Sequence, residues 1–214
     1  MSDLRKRLIR LAYQKPELRG DLLPLLKTAG LKLYHLSPNK FSNFKQQFSH
    51  VRSGRTPDIG FHFGTKKTAF TAADMLYRKG RISKGDTVYL YEVDLNAGKT
   101  LELKENRRGS WSVNDLIREI FEGKGGGPHS FITDEELDDY YEDIVTLPDG
   151  ENLKDLWYDK KGQIDGFIEW FKAKGFDSIK YNNTFEGGGV SYIALDPNQI
   201  KIKKVTPMTF AGEP

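Results

Sequence analysis

The sequence predicts an α+β fold in which antiparallel strands stand apart from blocks of helix. Short segments of alternating apolar residues recur between residues 31 and 205, which is the spacing of half-buried strands. Helical periodicity appears in blocks instead of after every strand, so the pattern differs from the regular alternation that builds a parallel sheet. The chain has 214 residues, 37% of them hydrophobic, which is enough to bury one sizeable core.

The basic head, residues 1–30, is predicted to fold as a helical hairpin. Residues 1–34 contain 8 Lys/Arg and 3 Asp/Glu, a balance of +5, whereas the rest of the chain contains 25 and 27, a balance of −2. Pro16 lies early in the second helix, and Gly30 is placed to end it. Two interpretations stay open. The hairpin either docks on an acidic partner or a nucleic-acid backbone, or it packs as a cap on the domain behind it.

The strands and helices that follow are predicted from the period of their apolar residues. The first strand stops at a Ser-Pro-Asn turn. In the second strand His62 alternates with Phe61 and Phe63, which places it on the opposite face. Thr65 then opens the first helix of the domain. Strands are predicted over 31–36, 59–63, 87–95, 100–103, 177–182, 189–196 and 199–205, and helices over 65–79, 111–122, 133–143 and 162–174.

Local signals also mark a helix start, a loop and the domain limits. Thr133 and Glu136 have the spacing of a capping box. The glycine-rich segment 123–129 is predicted to be a flexible loop, because it lacks the Gly-Lys-Ser/Thr order and the preceding strand of a phosphate-binding loop. Residues 31–206 are predicted to form one domain, with 207–214 as a tail.

Composition excludes several function classes. No apolar run approaches the roughly 18 residues that a membrane span needs. Charged residues interrupt every apolar stretch near the N-terminus, so no signal peptide is expected. The sequence contains no cysteine, which excludes disulfides, thiolate metal sites and cysteine nucleophiles. Its four histidines lack the close pairing of zinc ligands, so no metal site is predicted.

Three motifs follow one another along the domain. They read Tyr34-His35-Leu36-Ser37, Gly60-Phe61-His62-Phe63 and Ser191-Tyr192-Ile193-Ala194, the last followed by Pro197-Asn198-Gln199-Ile200. In this order they resemble the motifs of the ADP-ribosyltransferase superfamily, in the diphtheria-toxin-like branch that includes the poly(ADP-ribose) polymerase catalytic domain. The resemblance is greatest to ADP-ribosyltransferase-like domains of bacteriophage polyvalent and head-associated proteins, which carry His-Phe-Gly-Thr in the second motif and Asn-x-x-Glu before the third. It covers roughly residues 31–205.

The resemblance implies a split antiparallel sheet with inserted helices and a cleft that binds NAD as the substrate. His35 would bond a ribose hydroxyl of the adenosine half, and the backbone of Leu36 would pair with the nicotinamide amide. Ser37 would add a hydroxyl, and His62 would stack on nicotinamide where the family normally has an aromatic residue. The residues expected to contact NAD are Tyr34, His35, Leu36, Ser37, Phe61, His62, Phe63 and Tyr192.

The third motif departs from the family at its catalytic residue. The family's glutamate falls at Ser191, which supplies a hydrogen bond but no negative charge. Glu186, on the preceding glycine-rich loop, is the replacement carboxylate, or it pairs with Lys180 or a helix end. The expected catalytic residues are therefore His35, His62, Glu186 and Ser191.

The function that the resemblance implies is cleavage of the nicotinamide–ribose bond of NAD. The chain would be an NAD-dependent ADP-ribosyltransferase or NAD glycohydrolase of phage origin, acting on an unknown protein or nucleic-acid acceptor. Two alternatives stay open. One is a catalytically silent module of the same fold that binds NAD, an ADP-ribosylated partner or nucleic acid, and the other is a phage virion-associated protein. The expected location is the host cytoplasm or the phage particle, with no membrane partner.

Overall fold

The computed structural model describes residues 3–22, 30–45, 59–105, 111–122, 129–141 and 160–212. Within these ranges the chain is α+β, as predicted, and its strands form two mostly antiparallel sheets. The helices are α1 (Asp3–Gln14), α2 (Lys66–Arg78), α3 (Val113–Glu122), α4 (Asp134–Tyr141) and α5 (Lys160–Ala173). The strands are β1 (Leu31–Ser37), β2 (Phe61–Phe63), β3 (Thr87–Leu95), β4 (Thr100–Glu105), β5 (Ser178–Asn182), β6 (Val190–Ala194) and β7 (Ile200–Thr209).

The two sheets differ in their pairing. The three-stranded sheet has the order β1-β3-β7 and is antiparallel throughout. The four-stranded sheet has the order β2-β6-β5-β4, and its β4–β5 pair is parallel. The parallel pair departs from the prediction of antiparallel strands. Its physical reason is that α3, α4 and α5 lie between β4 and β5 in the chain, which is the long crossover that parallel neighbours need.

A bridge outside the regular ladders joins the two sheets. The N–H of Tyr34 donates to the carbonyl of Gly64 at 2.9 Å, and the N–H of Gly64 donates back at 3.0 Å. Because Gly64 directly follows β2, the bridge holds the ends of β1 and β2 side by side. A Cβ at position 64 would come within 3.0 Å of Ser191 Oγ and of the Thr68 side chain. This close approach favours glycine.

Three apolar clusters hold the layers together. The first seats α3 and α5 on the four-stranded sheet, the second lies between the two sheets, and the third seats α2 on the three-stranded sheet. Burial of each large side chain contributes roughly 1.5–3 kcal/mol, so the two sheets and the helices on them are held together by firm packing. Fully buried members include Ile120, Phe167 and Phe171 of the first cluster, Tyr91 and Val93 of the second, and Ala73 of the third.

Both predicted helix starts are confirmed. The hydroxyl of Thr65 accepts from the backbone N–H of Thr68 at 3.1 Å and caps α2. At the start of α4 the Thr133 hydroxyl accepts from the N–H of Glu136 at 3.2 Å, and the Glu136 carboxylate accepts from the N–H of Thr133 at 3.0 Å. These bonds satisfy backbone donors that have no partner within the first turn of a helix.

The head begins as predicted. α1 is followed by a turn of 3-10 helix at Pro16–Leu18, and Arg19 Nε donates to the carbonyl of Ala12 at 3.0 Å across the bend. The rest of the predicted second helix falls on residues 23–29, outside the described residues, as does most of the predicted glycine-rich loop, residues 123–128. No helix within the described ranges is both long and apolar enough to span a lipid bilayer.

The last strand continues past the predicted domain limit at residue 206. β7 pairs with β3 as far as Thr209, opposite Thr87, and Phe210 is buried against α2 and β3. The strand extends beyond residue 206 because pairing with β3 and burial of Phe210 both stabilise the extended chain there. Residues 207–210 are therefore part of the three-stranded sheet and its core.

Candidate functional site

Two cavities open beside the junction of the sheets, and both are lined by His35 and His62. The first cavity, of about 310 Å³, lies between the end of β1, helix α2 and the β5–β6 hairpin. The second cavity, of about 580 Å³, lies beside the segment that follows β1. Both volumes fall within the roughly 300–1,000 Å³ of small-molecule sites. A ligand that occupies both must pass the two histidines.

The backbone of β1 turns one edge toward the first cavity. In an antiparallel ladder, successive residues alternate between facing the partner strand and facing away from it. Tyr34 faces away from β3, because its N–H and C=O both bond Gly64. Leu36 is two residues further along β1, so its N–H and C=O face the same way, among the residues that line the first cavity. One donor and one acceptor side by side match a carboxamide group.

The imidazole of His35 lies in an aromatic cage. Its centroid is 5.4 to 6.4 Å from those of the cage rings, which belong to Phe41, Phe44, Phe63 and Tyr91. Burial lowers the pKa of His35 from 6.5 to about 4, because a buried imidazolium loses the water that would solvate it. The neutral ring donates from Nδ1 to the carbonyl of His62 at 3.0 Å. Nε2 is then the acceptor and suits a ligand hydroxyl.

His62 is oriented by hydrogen bonds at both ring nitrogens. Nε2 donates to the carbonyl of Ile59 at 3.1 Å, and Nδ1 lies 3.4 Å from the hydroxyl of Tyr181. The side chain is half-buried between the buried Phe61 and Phe63, which confirms the predicted alternation of this strand. Because both nitrogens contact protein groups, the ring offers its face to a ligand.

A buried amide links a carboxylate to a serine on the opposite wall. Asn183 is 3% exposed, and its Nδ2 donates to Glu186 Oε2 at 2.6 Å and to Ser191 Oγ at 3.0 Å. Its Oδ1 accepts from the backbone N–H of Glu186 at 3.0 Å. We call Asn183, Glu186 and Ser191 the polar triad. It holds one negative charge at the edge of the first cavity.

The loop that carries Glu186 depends on three glycines. Gly187, Gly188 and Gly189 have φ values of 80°, 82° and 112°, a region that other residues rarely adopt. Backbone hydrogen bonds close the loop on Asn183, which donates to Gly189 at 2.8 Å and accepts from Gly188 at 3.0 Å. The loop also rests on α2, because the hydroxyl of Thr68 donates to the Gly188 carbonyl at 3.4 Å. The carboxylate is thus supported from two sides.

The structure brings most of the predicted site residues together. The first cavity is lined by Tyr34, His35, Leu36, His62, Phe63, Glu186 and Ser191. The second cavity is lined by His35, Ser37, Phe61 and His62. Tyr192 is the exception and lines neither cavity. Because side chains alternate along β6, it points away from the Ser191 side and packs in the cluster between the sheets.

One residue of the site was missed by sequence reasoning. Asn183 received no role, although the spacing Asn183-x-x-Glu186 was visible as part of the phage-like pattern. The alternative expectation for Glu186 is an ion pair with Lys180 or a contact with a helix end. Lys180 pairs with Glu102 at 2.8 Å, on the neighbouring strand β4, and Glu186 bonds Asn183.

Comparison with known proteins adds no relative. No protein-family model matches the chain, and a search of curated proteins finds no significant match.

Proposed function

We propose that this chain is an NAD-dependent ADP-ribosyltransferase or NAD glycohydrolase with an ADP-ribosyltransferase-like core. One observation carries the proposal: His35, His62 and the pair Glu186 and Ser191 come from three separate parts of the sequence and line a single cavity of about 310 Å³. Two small sheets joined at one edge, with cavities at the joint, also support it.

The β1–β2 wall, formed by the ends of those two strands, supplies orientation. The carboxamide of nicotinamide would pair with the N–H and C=O of Leu36, and the ring of His62 would stack on the pyridinium. Nε2 of the neutral His35 would accept a hydrogen bond from a ribose hydroxyl. The second cavity offers space for the remainder of a dinucleotide, and Ser37 there adds a hydroxyl. Holding the substrate rigidly in this way removes part of the entropic barrier to reaction.

The polar triad supplies charge. Breaking the bond between nicotinamide and ribose develops positive charge on the sugar, and a fixed carboxylate stabilises that charge in the transition state. Glu186 supplies the carboxylate from the loop, while Ser191 occupies the strand position with a hydroxyl. Loss of one such charge-stabilising group costs about 10²- to 10³-fold in rate.

One observation favours a second candidate, a silent NAD- or ADP-ribose-binding module. The position on β6 where the family has its glutamate is occupied by Ser191, so no ionisable side chain stands there. Ser191 is 2% exposed, and its hydroxyl accepts from Asn183. In that case the cavities bind the dinucleotide and release no nicotinamide. The two candidates differ in whether free nicotinamide is formed from NAD.

The test is nicotinamide release from NAD labelled in the nicotinamide ring. We expect release by the wild-type protein, retained in His129→Ala and lowered in His35→Ala, which loses one hydrogen bond to the substrate. His129 is a suitable control because it lines neither cavity. Saturable NAD binding without any release, even at high protein concentration, would instead select the silent module. Absence of both binding and release would remove both candidates.

A further inference from the structure

The two cavities carry more positive charge than a dinucleotide needs. Four cationic side chains line them, with Lys40 and Lys45 in the second cavity and Lys79 and Arg81 in the first. Glu186 is the one carboxylate among the described lining residues. The diphosphate of NAD brings two negative charges, and its pyridinium brings one positive charge. The surplus of cations points to a second, polyanionic ligand at the same crevice.

A further lysine extends this positive rim to the loop of the polar triad. Lys67 is exposed in the first turn of α2, and its Cε would lie 3.6 Å from a Cβ built on Gly187. Gly187 directly follows Glu186. The cationic side chains therefore reach from the second cavity, past the histidines, to the residues next to the carboxylate.

An exposed aromatic side chain stands at the tip of the same loop. Phe185 is 43% exposed, although it directly precedes Glu186, which is held by Asn183. Solvent exposure of a large apolar ring is common when it stands alone on a surface. On the loop that carries Glu186 and that Lys67 approaches at Gly187, the same ring has the properties of a stacking platform for a base.

We propose that the acceptor of the transferred ADP-ribose is single-stranded nucleic acid, with its backbone on the cationic rim and a base stacked on Phe185. This inference rests on the proposed function. Single strands fit because an unpaired base exposes both a face for stacking and its nucleophilic atoms, whereas a duplex hides the face. The rim of Lys40, Lys45, Lys67, Lys79 and Arg81 contacts phosphates and carries no sequence preference.

The proposed reaction balances without any further reactant. The bond between the nicotinamide nitrogen and ribose C1′ breaks, and its electron pair returns to the ring, which leaves as neutral nicotinamide. A nitrogen or oxygen atom of the stacked nucleotide forms the new bond to C1′. The proton that this atom loses passes to the carboxylate of Glu186 and from there to water.

The binding arm of the test uses a fluorescent single-stranded DNA oligonucleotide of mixed sequence, titrated with the full chain across a salt series. We expect Phe185→Ala to weaken binding by about 5- to 100-fold, because stacking on an aromatic ring is lost. Tyr77→Ala is the matched control, since Tyr77 is 39% exposed and its ring lies beside Phe210 instead of on the loop of Glu186. No binding, or equal effects of the two substitutions, would overturn the proposal.

The same titration separates rim lysines from other surface lysines. The double substitution Lys40→Gln with Lys45→Gln removes two phosphate contacts and should lower the salt slope by about 1.4, at about 0.7 per contact. The control pair is Lys201→Gln with Lys204→Gln on β7, which β3 separates from β1. Equal changes in the two pairs would show a non-specific basic surface and would contradict the proposal.

The transfer arm adds NAD labelled in its adenine to the protein–oligonucleotide mixture. The proposal is supported if label becomes attached to the oligonucleotide with the wild-type protein and about tenfold less label becomes attached with Phe185→Ala. Nicotinamide release with free ADP-ribose as the only product overturns nucleic acid as the acceptor but leaves the proposed function standing. Label on proteins of a cell lysate, with none on added oligonucleotide, also overturns it. No nicotinamide release at all removes the acceptor together with the proposed function.

Discussion

The two walls of the crevice differ in what surrounds their polar side chains. On the β1–β2 wall four aromatic rings surround His35, which also bonds the carbonyl of His62, and burial keeps its ring neutral. On the hairpin wall, formed by β5, β6 and the loop between them, Asn183 holds Glu186 and Ser191 by hydrogen bonds. Packing orients a substrate but contributes no charge. Under the proposed function, recognition and charge stabilisation come from different walls, so each should be separable by substitution.

The largest effect is expected at the carboxylate of the hairpin wall. Glu186→Gln keeps the side-chain shape but removes the negative charge, so the rate of nicotinamide release should fall about 10²- to 10³-fold. Affinity for NAD should change little, because the substitution acts mainly on the transition state. Steady-state kinetics measure the rate, and equilibrium binding of NAD measures the affinity. The control is Glu169→Gln, an exposed glutamate of α5. A wild-type rate in Glu186→Gln would show that another residue supplies the negative charge.

The next effect concerns stability and lies on the β1–β2 wall. The pKa of His35 is lowered from 6.5 to about 4, so the folded state disfavours the proton that the unfolded chain binds. The stabilisation is complete above pH 6.5 and is lost as the pH falls toward 4, for a total of about 3 kcal/mol. Urea unfolding at several pH values measures it.

A substitution at position 35 separates the effect of the His35 imidazole from that of carboxylates, which also bind protons as the pH falls toward 4. His35→Phe fills the cage without a titrating ring, so its free energy of unfolding should depend less steeply on pH between 6.5 and 4. Identical pH profiles for His35→Phe and wild type would show that the cage does not hold a neutral imidazole.

A smaller effect is expected at the amide of the polar triad. Asn183→Ala removes the donor to both Glu186 and Ser191, so the carboxylate loses its fixed position, and the rate should fall about 10- to 100-fold. The free energy of unfolding should fall by about 1–3 kcal/mol, because buried partners are left unsatisfied. Asn182→Ala, at the exposed neighbouring position, is the control. A stability loss without any change in kcat would assign Asn183 a purely structural role.

The smallest effect is expected at the serine of the strand. Ser191→Ala removes one hydroxyl that accepts from Asn183, while the bond from Asn183 to Glu186 remains. The free energy of unfolding should fall by about 0.5–1.5 kcal/mol. The rate should fall by less than about tenfold, because no charge is lost. A loss equal to that of Glu186→Gln would place catalysis at the strand position instead of the loop.

Much of the fold was predictable because it depends on local patterns. The alternation around His62 and the threonine caps at Thr65 and Thr133 each involve residues within one strand or one helical turn. The parallel β4–β5 pair was not predictable in this way, since its partners are distant in the chain. The continuation of β7 through Phe210 depends on contacts with α2 and β3 that the local pattern does not contain.

The site likewise has features that local sequence motifs predict and features that depend on tertiary contacts. The ends of β1 and β2 were predicted as ligand-facing from their motifs, and the structure brings them to one crevice. The cage around His35 was not predicted, because Phe41 and Phe44 lie in an irregular segment and meet His35 only through tertiary packing. Asn183 was overlooked because an asparagine beside a turn is ordinarily a turn residue.

The central claim is that both walls bind one NAD molecule. Its most direct test is an NMR titration of ¹⁵N-labelled protein with a carbocyclic NAD analogue, whose bond to nicotinamide cannot be broken. The account predicts that the backbone amide of Leu36 and the side-chain amide of Asn183 shift together, with one shared dissociation constant. Shifts at one wall only, or separate saturation of the two groups, would contradict it.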